Sequence, residues 1–434
     1  MSVTGARRPR VHYAWIVAGV TFVTLLVAAA IRATPGVLIV PLEQAFGWSR
    51  ATIAFAISVN LVLYGLIGPF AAAVMDRVGV RRTLAAALCL LALGVGLTVF
   101  MTRAWQLVVL WGVVVGAGSG VVALVLGATL VNRWFAARRG LVMGVLTAST
   151  ATGQLVFLPL LAWLVTHDGW RAPVLLMAGV ALVLVPLAAL LVRDFPADMG
   201  LVPYGGTAAD AVHPDASGHA ARAAIAALRE GLNHRDFWIL AGTFFICGLS
   251  TNGLVGTHLI PACMDHGIPE VAAAGLLAAM GWFDLVGTTA SGWLSDRWDS
   301  RKLLAWYYGL RGLSLFFLPT ALAGTGAARW GFATFYGLDW IATVPPTVRL
   351  TADMFGRARV GMMFGWIVAA HQLGAAVAAF GAGLLRTRLG DYDAAFWAAG
   401  AMCLVAAALV FGIDAPARAS DLRRAPAEPL AVEV

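Results

Sequence analysis

Ala71-Ala-Ala-Val-Met-Asp-Arg-Val-Gly-Val-Arg-Arg82 returns about 220 residues later as Ser291-Gly-Trp-Leu-Ser-Asp-Arg-Trp-Asp-Ser-Arg-Lys302. A second stretch, Arg138-Arg-Gly-Leu-Val-Met-Gly144, returns at nearly the same offset as Arg359-Val-Gly-Met-Met-Phe-Gly365. Each copy lies between long apolar segments, so the chain reads as one membrane unit built twice. Two related halves around a site near the bilayer midplane are the plan of a secondary transporter.

Composition agrees. Apolar residues make up 60% of the 434 and charged residues only 12%, against about 25% charged in a soluble domain. Mean hydropathy is +0.83. The net charge of +8 would suit nucleic acid if it were gathered on one face. Instead it sits in short clusters at alternate ends of apolar stretches, with no aromatic-basic platform, so no nucleic-acid partner is expected.

Twelve apolar spans of about 20 residues, each matching the hydrocarbon thickness, are predicted at 13–33, 51–74, 84–101, 107–131, 140–166 and 172–192, then at 237–260, 271–294, 303–323, 331–350, 360–385 and 394–411. With the N-terminus inside, the outer loops hold only Arg50, Arg103, Arg171, Arg329, Arg386 and Arg388 of the 30 Lys and Arg residues. Arg32 and Arg311 fall within spans. All the others lie on the cytoplasmic side, which predicts a multi-pass protein of the plasma (inner) membrane with both termini cytoplasmic. Arg7, Arg8 and Arg10 resemble a signal-peptide n-region, but the apolar run after them is long and ends in no A-x-A site, so a retained first helix is expected.

The predicted organisation is an N-terminal six-helix bundle (1–193), a cytoplasmic linker (194–235), a C-terminal six-helix bundle (236–412) and a disordered cytoplasmic tail (413–434). Within the linker, 220–232 reads as a short amphipathic helix. The four cysteines are scattered without metal spacing and read as packing residues. No metal, no cofactor and no enzymatic constellation is expected. The run Gly116-Ala-Gly-Ser-Gly120 lies inside an apolar span with no preceding strand, and reads as helix packing rather than a nucleotide loop.

The loops at Asp76-Arg77 and Asp296-Arg297 resemble the G-x-x-x-D-R-x-G-R-R loop of the major facilitator superfamily. Ala72 stands where the first copy usually has Gly, and Gly292 is present in the second. The resemblance implies an all-α membrane fold of two pseudo-symmetric six-helix bundles. It also implies a gating role for Asp76, Arg77, Arg81, Asp296, Arg297 and Arg301, a carboxylate in each loop pairing with arginines to latch one state. Within the superfamily, Arg133-Trp-Phe-Ala-Ala-Arg-Arg-Gly-Leu-Val-Met-Gly144, Phe46-Gly-Trp-Ser-Arg50 and Gly169-Trp-Arg171 resemble the monocarboxylate transporter and oxalate–formate exchanger branch. The first-helix lysine of that branch would fall near Ala33, next to Arg32. Of an Asp and Arg pair on the eighth helix of animal members, Asp284 matches the acid and Thr288 stands in place of the base. An exchanger lysine on the eleventh helix has His371 nearby.

Ionisable groups within spans are costly and mark pathways. Arg32, beside Thr34-Pro-Gly36, is a candidate anion ligand, and Asp284 a candidate proton carrier. His371 is a candidate for both, binding an anion when protonated. Asp339 precedes Ala342-Thr-Val-Pro-Pro346, where two prolines should free backbone carbonyls, and joins the substrate-binding candidates. Asn60, Tyr64, Gln154 and Asn252 could orient substrate by hydrogen bonds, or equally glue helices together. Arg311 reads as structural, because its helix is usually peripheral in this fold.

These residues predict a proton-coupled carrier of a small organic anion, monocarboxylate-like, working as a monomer by alternating access. The alternative is an exporter of drugs or other hydrophobic solutes. It is weakened by Leu110-Trp-Gly112 where drug antiporters carry an Arg, and by the lack of their G-P-x-x-G-G motif. A non-transporting membrane sensor is weaker still, having no partner domain to signal through.

Overall fold

The computed structural model describes residues 11–207, 220–356 and 359–414. The predicted tail from 415 onward, the Arg7, Arg8 and Arg10 cluster and linker residues 208–219 lie outside them. In chain order the helices are α1 (Tyr13–Phe46), α2 (Arg50–Val78), α3 (Val80–Phe100), α4 (Ala104–Trp134), α5 (Arg139–Asp168) and α6 (Arg171–Leu191), then the linker helix α7 (Ala220–Leu232) and α8 (Arg235–Asp265). There follow α9 (Glu270–Ser295), α10 (Ser300–Ala323), α11 (Gly326–Asp339), α12 (Val344–Phe355), α13 (Val360–Leu389) and α14 (Asp393–Gly412). Ten of these, all but α7, α10, α11 and α12, are long and apolar enough to cross a membrane.

Each predicted span has its helix, and several helices run longer. α1 continues to Phe46 through Pro35 and Pro41, where a soluble helix would stop. In lipid a break exposes backbone polar groups to hydrocarbon, so continuing past a proline costs less than stopping. The span predicted at 331–350 differs: it is two helices, α11 and α12, separated by residues 340–343. Pro345 and Pro346 lie not in the break but in the first turn of α12, where a missing N–H costs nothing. α4 has a matching interruption at Val122 and Ala123.

The packing repeats as the sequence does. In the first half α1 packs on α5, α2 on α4 and α3 on α6; in the second, α8 packs on α13, α9 on α11 and α10 on α14. The halves meet mainly along two seams, α2 with α13 and α5 with α9, and α1 also touches α8 near Gly36 and Gly256. Glycines allow the closest approaches. A Cβ on Gly287 of α9 would lie 1.7 Å from the Leu338 carbonyl oxygen, and one on Gly337 of α11 would lie 2.9 Å from Met280 backbone. The two backbones are therefore in direct contact.

α4 and α8 each contain a π-helical stretch, Val108–Val115 and Leu249–Val255. Such a turn disturbs the i→i−4 ladder and releases carbonyls for other partners. Ser250 and Thr251 hydroxyls donate to the Cys247 carbonyl, Tyr336 to that of Ser250 at 2.8 Å, and Thr257 to that of Asn252.

Candidate translocation site

The break between α11 and α12 is held from two sides. From α9, the Asp284 carboxylate accepts the Ile341 N–H at 2.9 Å and the Thr288 hydroxyl at 2.8 Å. One turn further, Ser291 donates to the Ala342 carbonyl at 2.5 Å. Thr288, where the family resemblance implied a base, thus serves the acid directly. From α10, Arg311 is fully buried and reaches across to the same break. Its Nε donates to Asp339 Oδ2 at 2.7 Å, Nη1 to Cys247 Sγ at 3.0 Å, and Nη2 to the carbonyls of Asp339 and Trp340. Asp339 is correspondingly engaged by a guanidinium, while its Oδ1 is buried without a hydrogen bond.

Arg32 and Tyr64 come together: the guanidinium lies 4.9 Å from the ring centroid, in cation–π range. Arg32 is half-buried and forms no ion pair among the described residues. Gln154 is half-buried on α5, beside Gly153, which touches the Leu26 carbonyl of α1. His371, half-buried on α13, lies against Phe244 with centroids 4.8 Å apart, and its Nδ1 is enclosed without a partner. Its imidazole also neighbours the Cys247 thiol. Asn252 is half-buried within the π stretch of α8. Asn60 is placed differently: buried on α2, it donates from Nδ2 to the Trp111 carbonyl at 2.7 Å, tying α2 to the π stretch of α4.

The aspartate of each repeated loop pairs with an arginine from a distant helix, in matching positions. Asp76 pairs with Arg133 at the end of α4 (2.5 Å), and Asp296 with Arg349 on α12 (3.0 Å). Neither of these pairs involves the adjacent loop arginines. Among the described residues Arg77 forms no ion pair, Arg297 lies over the Trp293 ring, and the Arg81 N–H is capped by Asp194 at 2.8 Å. Arg301 instead closes on Asp299, the N-cap of α10. Those hydrogen bonds hold the Asp299 carboxyl below its ordinary range. The signal in the sequence for these partners was long-range, Arg133 and Arg349 following their aspartates by 57 and 53 residues.

The ends of the halves away from the repeated loops are joined by a cluster that sequence reading did not single out. Gly47, in the left-handed region at φ 68°, ends α1, and Ser49 caps α2. The short turn between them delivers Arg50 inward, 5% exposed. Arg50 binds Glu43 of its own half at 2.8 Å and both oxygens of Asp265 on α8 at 2.7 Å. Asp265 also takes Arg386 from α13 at 2.7 Å, and Arg50 donates to the Tyr392 hydroxyl, whose phenol burial raises to about 12. Among the described residues, Arg50 with Asp265 is the ion pair that joins the two bundles.

Two bundles with repeated packing, broken fourth and tenth segments and a matched loop pair define a transporter fold. The Major Facilitator Superfamily model matches residues 20–349 and 341–433, and the chain belongs to that superfamily. It is a membrane transporter, not an enzyme. It is similar to monocarboxylate transporter 13 of Bos taurus, 29% identical over 92% of this chain and 89% of that one. Monocarboxylate transporter 11 of Homo sapiens is 26% identical over 95% and 85%. The uncharacterized MFS-type transporter YcxA of Bacillus subtilis is 25% identical over 85% and 88%. Among solved structures, a bacterial homolog of the human lysosomal transporter Spinster superposes with TM-score 0.75 at 15% identity, over 94% of this chain and 98% of that one. The inward-open xylose transporter XylE of E. coli superposes with TM-score 0.72 at 16% identity, over 94% and 97%.

Proposed function

We propose that the chain carries a small organic anion, monocarboxylate-like, across the plasma membrane together with a proton. The observation that carries this reading is Arg32. Charges taken out of water are normally paired, and Arg311 has its carboxylate; half-buried Arg32, within a long apolar helix, meets the face of Tyr64 and no carboxylate among the described residues. An arginine so placed presents free donors suited to a planar carboxylate. Tyr64, Gln154, Asn252 and His371 complete the substrate set in this reading. Asp284, enclosed yet hydrogen-bonded through one oxygen, takes the proton, with His371 as a second titratable group. The curated relatives named monocarboxylate transporters support the substrate class.

In the same reading, α10 and the α11–α12 pair are the two further crossings that bring the total to twelve. The basic loops around Arg77, Arg81, Arg297 and Arg301 face the cytoplasm, as do both termini. The protein works as a monomer, rocking about the seams so that the site opens to one side at a time.

The test is uptake of labelled short-chain mono- and dicarboxylates into proteoliposomes, with and without an inward proton gradient. Gradient-stimulated uptake of one acid, lost in Arg32→Gln, is the expected result. Absence of uptake for every acid would overturn the anion reading and favour export of hydrophobic solutes.

A further inference from the structure

Arg311 sits on α10, a helix with no place in the proposed substrate path, yet it is the largest charged side chain in the protein interior. Of its five N–H donors, four find acceptors: a carboxylate oxygen, a thiol and two main-chain carbonyls. Every nitrogen of the guanidinium is thus engaged within the protein. Two of the acceptors are the carbonyls of residues 339 and 340, which immediately precede Ile341, and Ile341 supplies the N–H that Asp284 accepts. A break in a helix is otherwise soft, because its peptide groups have lost their ladder partners. Here the peptides just before the Asp284 contact are pinned by a rigid, permanently charged fork.

We propose that Arg311 is a positioning residue for Asp284: by clamping residues 339 and 340 it fixes the Ile341 N–H against the carboxylate on the opposite side of the break. The proposal rests on the reading of Asp284 as the proton carrier. The charged group that acts on Asp284 is Arg311 from α10, and Asp284 in turn acts on Asp339 of α11. Cys247 of α8 faces Arg311, and His371 of α13 faces Cys247; Tyr308 of α10, Tyr336 of α11 and Cys403 of α14 also surround the guanidinium, and Asp339 acts on Tyr307 of α10. Thr288, the remaining contact of Asp284, does not titrate in the working range.

The experiment is pH-titrated infrared difference spectroscopy on full-length protein in lipid, following the carbonyl stretch of protonated carboxyl groups from about pH 4 to pH 9. The probe is the proton itself, so no substrate need be known. The band lost in Asp284→Asn is that of Asp284. In Arg311→Lys, which keeps the charge but loses the fork, the midpoint of that band should move by about half a pH unit or more. Arg311→Gln, which removes both the fork and the charge, serves as a second variant where the lysine fails to fold. An unchanged midpoint in a folded variant of either kind would overturn the proposal. Absence of any band that depends on Asp284 in the unmodified protein would overturn the proton-carrier reading itself, and the inference with it. A titrating Asp284 indifferent to both Arg311 substitutions would sink the inference alone.

Discussion

Asp284 on α9 accepts the backbone N–H of Ile341 at 2.9 Å, so a side chain of one helix caps an interruption in another. The contact gives the acid two duties, since it stabilises the break and is a candidate to bind a proton. A substitution that separates the two is informative. Asp284→Asn keeps an oxygen acceptor for Ile341 and should fold, but should abolish stimulation of uptake by a proton gradient. Asp284→Ala leaves a buried N–H unsatisfied at about 1–3 kcal/mol, to be read as a lower unfolding temperature in detergent. Proton-stimulated uptake surviving in Asp284→Asn would exclude the acid as carrier.

Arg50 spans both halves with a bidentate grip on Asp265, and both groups are largely enclosed. Breaking one side of such a pair costs about 3–5 kcal/mol when it leaves a buried charge alone. Arg50→Ala is less severe, because Asp265 retains Arg386. The expected outcome is a population shift toward opening of the outer face. It is measured as faster labelling of a cysteine placed on the outer third of α2, in a background lacking the native cysteines. Exchange of the two residues, Arg50→Asp with Asp265→Arg, should restore slow labelling in part. Labelling rates unaffected by Arg50→Ala would mean the cluster does not hold the outer face.

Asp76 and Asp296 occupy equivalent loops but not equivalent surroundings. Arg133 is 7% exposed beside Asp76, whereas Arg349 is 47% exposed beside an Asp296 that is itself 72% exposed. Exposed pairs contribute about 0–1 kcal/mol, and the better shielded pair should contribute more. Asp76→Asn should therefore slow transport more than Asp296→Asn. Initial uptake rates at matched expression decide it, and an equal or reversed order would refute the assignment.

Gly287 and Gly292, a little over a turn apart on α9, should respond oppositely to alanine. A Cβ at Gly287 would collide with the Leu338 carbonyl at 1.7 Å, while one at Gly292 meets nothing within 4 Å. Overpacking a rigid contact costs about 1–3 kcal/mol or more, so Gly287→Ala should lower the unfolding temperature or prevent accumulation. Gly292→Ala should behave as the unmodified protein, as Ala72 already does in the first copy of the loop. Normal stability of Gly287→Ala would show that the two backbones are further apart.

The fold was legible because membrane spans announce themselves by length and hydropathy, and because the Asp-Arg loops repeat. The pairing inside those loops was half legible. Asp76 and Asp296 stood out, but their partners lie some 55 residues away (Arg133 at 57, Arg349 at 53) on other helices, and local sequence does not encode such reach. Arg311 was read as structural from the usual place of its helix, but its partners were not legible, because a helix assigned by order to the outside of a bundle can still direct one long side chain inward. Arg50 was assigned to an outer loop by charge counting; its burial follows from the Gly47 and Ser49 turn, which counting does not see. Asp284 and Arg32 were legible for the opposite reason, since a charge inside an apolar run is conspicuous wherever it points.

The contact of α9 and α11 through Gly287 and Gly337 has a mechanical meaning. Where side chains intervene, a helix pair has slack, because rotamers give before backbones move. Main chain against main chain has none. If Asp284 takes the proton as proposed, a shift of α9 on gain or loss of its charge should pass into the break with little damping, and α9 and the break should move as one piece.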